Sequence, residues 1–338
     1  MVRRLLVNRS RRIAGFLLLS HLSTPISSLG AEKLVGFYSA VTLSMSVPWI
    51  AQEAGLFLKH NLDFRLVYIV TTPLVTSAML GGQGDVAVTG GEGIIRAFVQ
   101  GASDFVFVGG LKNVLTNSIL ARPAIKEAKD LKGKRIGVAR IGSNPHYFAV
   151  QALRQRGLDP TRDVTFIQTG GAPDTLAALV SGTIDAATLT APMDVRAMAQ
   201  GFHAVVSGRD LRLPYVATGI VTRRSTVQNR PAAVGQFMRV MAEGIKILLT
   251  DKELTFMVLA QKMRLDDRDV LEAAYAGEIG ALEQKLEMRP EAIEAILEEI
   301  AKVDPRAKKV KAGDLFDRRF IDEMEKSRFF DQVWAGKG

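Results

Sequence analysis

The chain is 338 residues long, 47% hydrophobic and 23% charged, with 30 glycines, 12 prolines and no cysteine. That balance excludes a disordered or collagen-like chain and leaves room for two lobes. The absent cysteine removes disulfide frameworks, thiolate metal sites, cysteine nucleophiles and lipid attachment through an N-terminal cysteine. The formal charge of +9 loses its suggestion of a polyanion partner once located: Arg3, Arg4, Arg9, Arg11 and Arg12 precede every acid, and without those five the remainder carries +4. That remainder is interspersed with acids and forms no basic stripe with aromatics, so no nucleic-acid partner is expected.

The N-terminus reads as an export signal. An arginine-rich stretch to Arg12, an apolar run from Ile13 to Leu22 and a polar segment closing on Ser28-Leu29-Gly30-Ala31 supply its three regions, with cleavage expected before Ala31. The apolar run is ten residues long and includes Ser20 and His21, short of the roughly 20 residues a spanning helix needs. With no later run long enough to span, the mature protein is expected to be soluble in a periplasm and not a cysteine-linked lipoprotein.

From Lys33 onward two halves repeat one plan. Lys33-Leu-Val-Gly36 opens a strand, helices end between Leu56 and Asn61, and a strand follows at Phe64 to Val70. An amphipathic segment from Pro73 to Leu80 then meets Gly82-Gln-Gly-Asp85-Val-Ala87, a strand at Val86 to Val88 and a helix near Gly91. The second half repeats this with Lys134-Arg-Ile-Gly137, a helix ending at Gly157, a strand at Val164 to Gln168, a helix from Pro173 to Val180 and Gly182-Thr-Ile-Asp185-Ala-Ala187. The two hexapeptides lie 100 residues apart, and Gly101 is echoed by Gly201 at the same offset. Alternating strands and helices imply parallel sheets covered on both faces, and two rounds imply two α/β lobes.

Past Tyr215 to Arg223, which is strand-like, the chain reads as helical. Pro231 starts a helix with Val234, Phe237, Met238, Met241, Ile245 and Leu248 on one stripe, and Pro290 starts another with Ile293, Ile296, Leu297 and Ile300. The expected arrangement is a signal peptide at 1–30, lobe one from 31–112 and 214–338, and lobe two from 113–213. Two crossover strands would join the lobes around a ligand cleft.

These motifs together resemble the periplasmic solute-binding proteins of ABC importers, the group serving nitrate, sulfonates, taurine and thiamin pyrimidine precursors. The likeness spans about Lys33 to Leu249. It rests on Pro48-Trp-Ile-Ala-Gln-Glu-Ala-Gly-Leu-Phe57, the two Gly-x-x-Asp-x-Ala repeats, Asp130-Leu-Lys-Gly-Lys134 leading into Ile136-Gly-Val138, and Gly142-Ser143 before a helix. It implies a type 2 periplasmic-binding architecture. It also implies a monomer that hands its small-molecule ligand to permease subunits in the inner membrane, driven by a cytoplasmic ATPase. The related yeast pyrimidine synthases carry a cysteine-rich motif that this chain lacks.

In open α/β sheets ligands sit beyond the carboxyl ends of strands, where helix N-termini present unpaired N–H groups and partial positive charge. Thr89, Gly90 and Gly91, Ser143 and Asn144, Gly171, and Thr190 mark such points, and Ser39 after the first strand joins them. Converging N-termini favour an oxyanion such as a sulfonate, carboxylate or nitrate. Each of these turns is equally compatible with plain helix capping. Glu92 and Asp194 just inside two helices would select an amine or a pyrimidine if they faced the cleft, and would otherwise serve the helix dipole. Trp49 and Tyr147 are candidates for stacking on the ligand, and His146 for donating to an anion; each is also a common packing residue.

No metal ligand set, cofactor motif or catalytic residue is expected. The chain has no H-E-x-x-H, G-x-S-x-G or P-loop sequence, and Gly82-x-Gly84-x-x-Ala87 precedes its strand rather than following one. The expected function is therefore that of a binding component rather than an enzyme. A receptor for a thiamin pyrimidine precursor, a sensor-input module of the same fold, and an enzyme using Glu92 and Asp194 stand as alternatives.

Overall fold

A computed structural model describes residues 30–335. The export segment and the cleavage point read from the sequence fall at residues 1–30, of which only Gly30 lies within the described residues.

The first half runs β1 (Glu32–Tyr38), α1 (Val47–Glu53), α2 (Leu56–Lys59), β2 (Leu62–Tyr68), α3 (Thr72–Leu80), β3 (Val86–Thr89), α4 (Glu92–Val99) and β4 (Phe105–Leu115). The second runs β5 (Ser118–Ala121), β6 (Lys134–Val138), α5 (Asn144–Gln155), β7 (Val164–Gln168), α6 (Ala172–Ser181), β8 (Ala186–Leu189), α7 (Met193–Ala199), β9 (His203–Ser207) and α8 (Gly208–Leu211). β10 (Leu213–Arg223) returns the chain, and helices close it: α9 (Arg224–Asn229), α10 (Pro231–Thr250), α11 (Lys252–Met263), α12 (Arg268–Glu278), α13 (Pro290–Ala301), α14 (Arg319–Lys326) and α15 (Phe329–Trp334).

Two five-stranded sheets result, ordered β2-β1-β3-β10-β4 and β7-β6-β8-β5-β9. Neither is wholly parallel, which corrects the sequence expectation. β10 runs antiparallel to β3 and β4, and β5 runs antiparallel to β8 and β9. The reason is topological: β10 brings the chain back from the second lobe alongside the strand that left the first, so it must run against it. β5 occupies the matching place in the other sheet.

The repeated Gly-x-x-Asp has a structural task. Asp85 accepts a hydrogen bond from the Val35 N–H at 2.8 Å, and Asp185 accepts one from the Arg135 N–H at 2.9 Å. In each half the carboxylate satisfies an amide near the start of the sheet's second strand, while the same residue's own N–H returns a bond to the same strand at 2.8 and 2.9 Å. Gly82 and Gly182, at φ +70° and +85°, make the left-handed turn that brings the Asp there.

The stripe expected on α10 is the buried one: Val234, Phe237, Met238, Met241, Ile245 and Leu248 all face the first lobe's core. Phe237 meets Phe64 at 5.3 Å, and Phe64 stacks on Phe57 at 4.2 Å. The α13 stripe of Ile293, Ile296, Leu297 and Ile300 is likewise buried, packed on β10 and α4. Among the described residues no helix is long and apolar enough to cross a membrane.

Candidate functional site

A cavity of about 90 Å³ lies between the lobes. Ser39, Thr42, Ser44, Tyr68, Thr71 and Thr72 line it from the first lobe, and Asn117, Ser143, Asn144, Gly171, Thr188 and Thr190 from the second. Thr175 on α6, Lys112 and Thr218 on the crossover strands and Glu278 at the end of α12 complete the polar side chains of the lining; Val41, Val70, Leu115, Pro145, Pro173 and Leu189 supply apolar wall.

Three helices begin at this cavity: α3 at Thr72, α5 at Asn144 and α6 at Ala172. Each carries proline early in its first turn (Pro73, Pro145, Pro173), where the missing N–H costs no helical bond. Their remaining first-turn amides and the positive ends of their dipoles point toward the shared space. Asp174 partly offsets the third, since its carboxylate accepts from the Gly171 N–H at 3.0 Å. Thr71, at φ +71° and ψ +144°, holds a backbone conformation that β-branched residues rarely adopt, and this strained residue launches α3 into the cavity.

Hydroxyls form a second layer. Thr89 donates to Ser39 Oγ at 2.9 Å and approaches Thr72 Oγ1 at 3.3 Å, so it orients two lining residues from behind. Ser44 and Thr218 share a bond of 2.7 Å across elements, and Asn144 Nδ2 donates to the Ala217 carbonyl at 2.8 Å. Three atoms of lining residues, Thr71 Oγ1, Thr188 Oγ1 and Asn144 Oδ1, are buried and make no hydrogen bond among the described residues. A buried polar atom left so costs about 1–3 kcal/mol.

Lys112 and Glu278 are the charged side chains of the lining, 6% and 3% exposed. Lys112 Nζ donates to Glu278 Oε2 and, at 2.6 Å, to Thr116 Oγ1; Thr116 donates to Glu278 Oε1, and Thr190 reaches the same oxygen at 3.5 Å. The sequence reading missed this group. Its one local signal was a lysine inside a strand whose first nine residues are all buried.

Of the residues singled out from the sequence, Ser39, Ser143, Asn144, Gly171 and Thr190 line the cavity. The others lie outside the lining. Thr89 stands behind Ser39. Gly90 receives the Asn144 amide, since a Cβ there would sit 2.0 Å from Asn144 Oδ1. Gly91 packs on Val216, to whose carbonyl its N–H donates at 2.8 Å. Trp49 is buried in the first lobe's core with its ring edge-on to Tyr38 at 5.2 Å, and Tyr68 is the aromatic that reaches the cavity. Glu92 pairs with Arg96 one turn on at 2.9 Å, and burial raises its carboxyl's pKa. Asp194, in the first turn of α7, accepts from the Val195 N–H at 2.7 Å and faces Arg209 at 3.5 Å; burial raises its pKa too. His146 accepts from the Gly142 N–H at 3.3 Å and packs edge-on to Phe166, and burial lowers its pKa to about 4, so at neutral pH it carries no charge for an anion.

Tyr147 belongs to a contact between lobes. Its ring lies 4.5 Å from Tyr215, and its hydroxyl donates to the Ala295 carbonyl of α13 at 3.2 Å. Beside it, Arg154 and Gln151 of α5 donate to Glu299 of α13 at 2.6 and 2.8 Å. Burial alone would raise the Glu299 pKa; the bonds from Arg154, Lys302 and Gln151 outweigh it and hold the carboxyl at about 2. Among the described residues no cluster of three His, Asp or Glu is placed to hold a metal ion.

Two α/β lobes joined by crossover strands, with helix N-termini opening on the cavity between them, define the fold of the two-lobed periplasmic binding proteins. The chain belongs to the NMT1/THI5-like family, whose pattern matches residues 46–253, more than half of its length. A protein of Brucella abortus (strain 2308), described only as a candidate binding protein, is 25% identical over 233 residues, covering 68% of this chain and 71% of its own. Among solved structures, a protein of Bordetella bronchiseptica RB50 superposes with a TM-score of 0.77 at 20% identity, over 88% of this chain and 98% of that one. The alkanesulfonate-binding protein SsuA of Xanthomonas axonopodis pv. citri, bound to MOPS, gives 0.72 at 21% identity over 85% and 98%. The desulfurization enzyme DSZB shares the fold as well, at 0.66 and 14% identity over 88% and 99%. At these identities the structural likeness concerns the fold, which serves both binding proteins and an enzyme.

Proposed function

We propose that this protein is the solute-binding component of an ABC importer, working in the periplasm as a monomer and capturing a small organic anion, a sulfonate or carboxylate, between its lobes. In this reading residues 1–30 are an export signal, lobe one comprises 31–112 and 214–338, and lobe two comprises 113–213. The ligand binds without being transformed and favours the closed form by touching both lobes, and that form docks on the permease.

The observation that carries the reading is the convergence of α3, α5 and α6 on one cavity. An oxyanion accepts from several amides at once, which is what three helix starts at one cavity offer. The SsuA protein that shares the fold is described as alkanesulfonate-binding, which places sulfonates first in the panel. Glu92 and Asp194 have no part in it, because each is turned to an arginine.

The test is thermal unfolding of the purified protein against alkyl and aryl sulfonates, carboxylates, nitrate, bicarbonate and thiamin pyrimidine precursors. A solute at 100 times its dissociation constant adds about 2.7 kcal/mol to the folded state. Stabilisation by a sulfonate or carboxylate supports the proposal. Stabilisation by the pyrimidines alone would replace the anion with a nitrogen heterocycle. Silence across the panel would refute the proposal.

A further inference from the structure

We infer that Glu278 sets the charge of the solute: paired with Lys112 in the cavity wall, it confines the cavity to solutes bearing a single negative charge and turns dianions away. The inference rests on the anion-binding reading and goes further, since converging helix termini alone do not distinguish one charge from two.

The charge balance of the cavity leads there. A lysine in an anion site would ordinarily neutralise the ligand. Here its ammonium is committed to Glu278 and Thr116, and both side chains of the pair are more than nine-tenths buried. Among the described residues the lining holds no other charged side chain, so the walls are neutral overall. What remains for the ligand is the positive end of three helices, each equivalent to about half a charge. Asp174, bonded to the amide at the start of α6, takes up part of the third. That leaves close to one positive charge, enough for one oxyanion. A second negative group would find no cation and would meet the Glu278 carboxylate in a space of about 90 Å³.

Glu278 also faces the second lobe. Thr190 Oγ1 lies 3.5 Å from its Oε1, and the Arg209 guanidinium lies over the preceding Gly277, where a Cβ would come within 2.4 Å of it. The carboxylate therefore sits where the lobes close on the solute. It comes from α12, beyond the segment that matches the family.

Isothermal titration of the full-length mature protein at neutral pH and fixed ionic strength tests this with two matched pairs, ethanesulfonate against 1,2-ethanedisulfonate and propionate against succinate. Wild type is expected to bind the monoanion of the better pair at least tenfold more tightly than its dianion. Glu278→Gln keeps the shape and frees the Lys112 charge, so the ratio should shift toward the dianion by at least tenfold. The neutral double variant Lys112→Gln/Glu278→Gln should restore the monoanion preference. Equal binding of both members by wild type, which needs no variant to fold, overturns the inference, as does a folded Glu278→Gln protein whose ratio stays within twofold of wild type. If wild type binds neither member of either pair, the anion-binding reading itself fails, and the inference falls with it.

Discussion

Replacing Gly90 with alanine should weaken solute binding while leaving the fold intact, because the clash it creates lies between the lobes. An added Cβ would stand 2.0 Å from Asn144 Oδ1 and 2.9 Å from Thr72 Oγ1. The Thr72 hydroxyl belongs to the same lobe and can turn aside. The Asn144 amide comes from the other lobe, and it must retreat by more than an ångström, giving up its 2.8 Å bond to the Ala217 carbonyl. One lost hydrogen bond is worth about 1 kcal/mol, and a forced shift in a packed site about 1–3 kcal/mol. Slight opening of the lobes relieves most of this, so the penalty falls on closure: about 1.5–3 kcal/mol, or roughly a tenfold to hundredfold rise in Kd. Calorimetry with the tightest solute from the panel reads the affinity, small-angle scattering the lobe separation, and thermal unfolding the stability of the ligand-free protein, which should move by only a degree or two. In a Gly90→Ala/Asn144→Ala protein the Gly90→Ala penalty should shrink by at least half. Unchanged affinity in Gly90→Ala, or a fall in unfolding temperature with affinity intact, would refute the idea that this contact belongs to closure.

Two further outcomes concern stability. Asp185 is held at about 2 by the side-chain bonds from Arg135, against 3.8 for an ordinary Asp. A depressed carboxyl stabilises the folded protein above its unfolded pKa and loses that contribution as pH falls from about 4 through about 2. Because Arg135 is 46% exposed, solvent screening leaves about 1 kcal/mol, so Asp185→Asn should flatten the acid limb of the stability curve by that amount in urea titrations at stepped pH. Phe237→Ala empties a fully buried position against Phe64 and Phe57 and should cost about 3–5 kcal/mol by urea unfolding, whereas Phe237→Leu should cost about 1 kcal/mol.

Much of the fold was legible because its signals are local. The offset of 100 residues between Asp85 and Asp185 reflects one hydrogen-bonded clip used in both sheets. The stripes on α10 and α13 follow from helical periodicity and the need to bury one face. β5 and β9 escaped the reading, and β4 entered it only as the crossover near Asn113. β4 is buried on both faces and shows a continuous apolar run broken by Gly109-Gly110, and β5 is four residues long, so neither has the alternation that betrays a half-exposed strand.

The site divides along the same line. Sequence by itself determined that several helices would begin beyond the ends of strands, because glycines, hydroxyls and prolines act within a turn or two of where they stand. Which of those termini open on the cavity was decided only by tertiary structure. Glu92 and Ser143 carry equally plausible capping signatures, yet the start of α4 is sealed against Val216 while that of α5 lines the cleft. Glu278 looks like an ordinary acid at the end of an amphipathic helix, and it enters the cavity because α12 packs beside α7 and meets Lys112, which is 166 residues away in the chain. A side chain's direction depends on how its helix is rotated, and that rotation is fixed by the packing of the opposite face against partners remote in sequence.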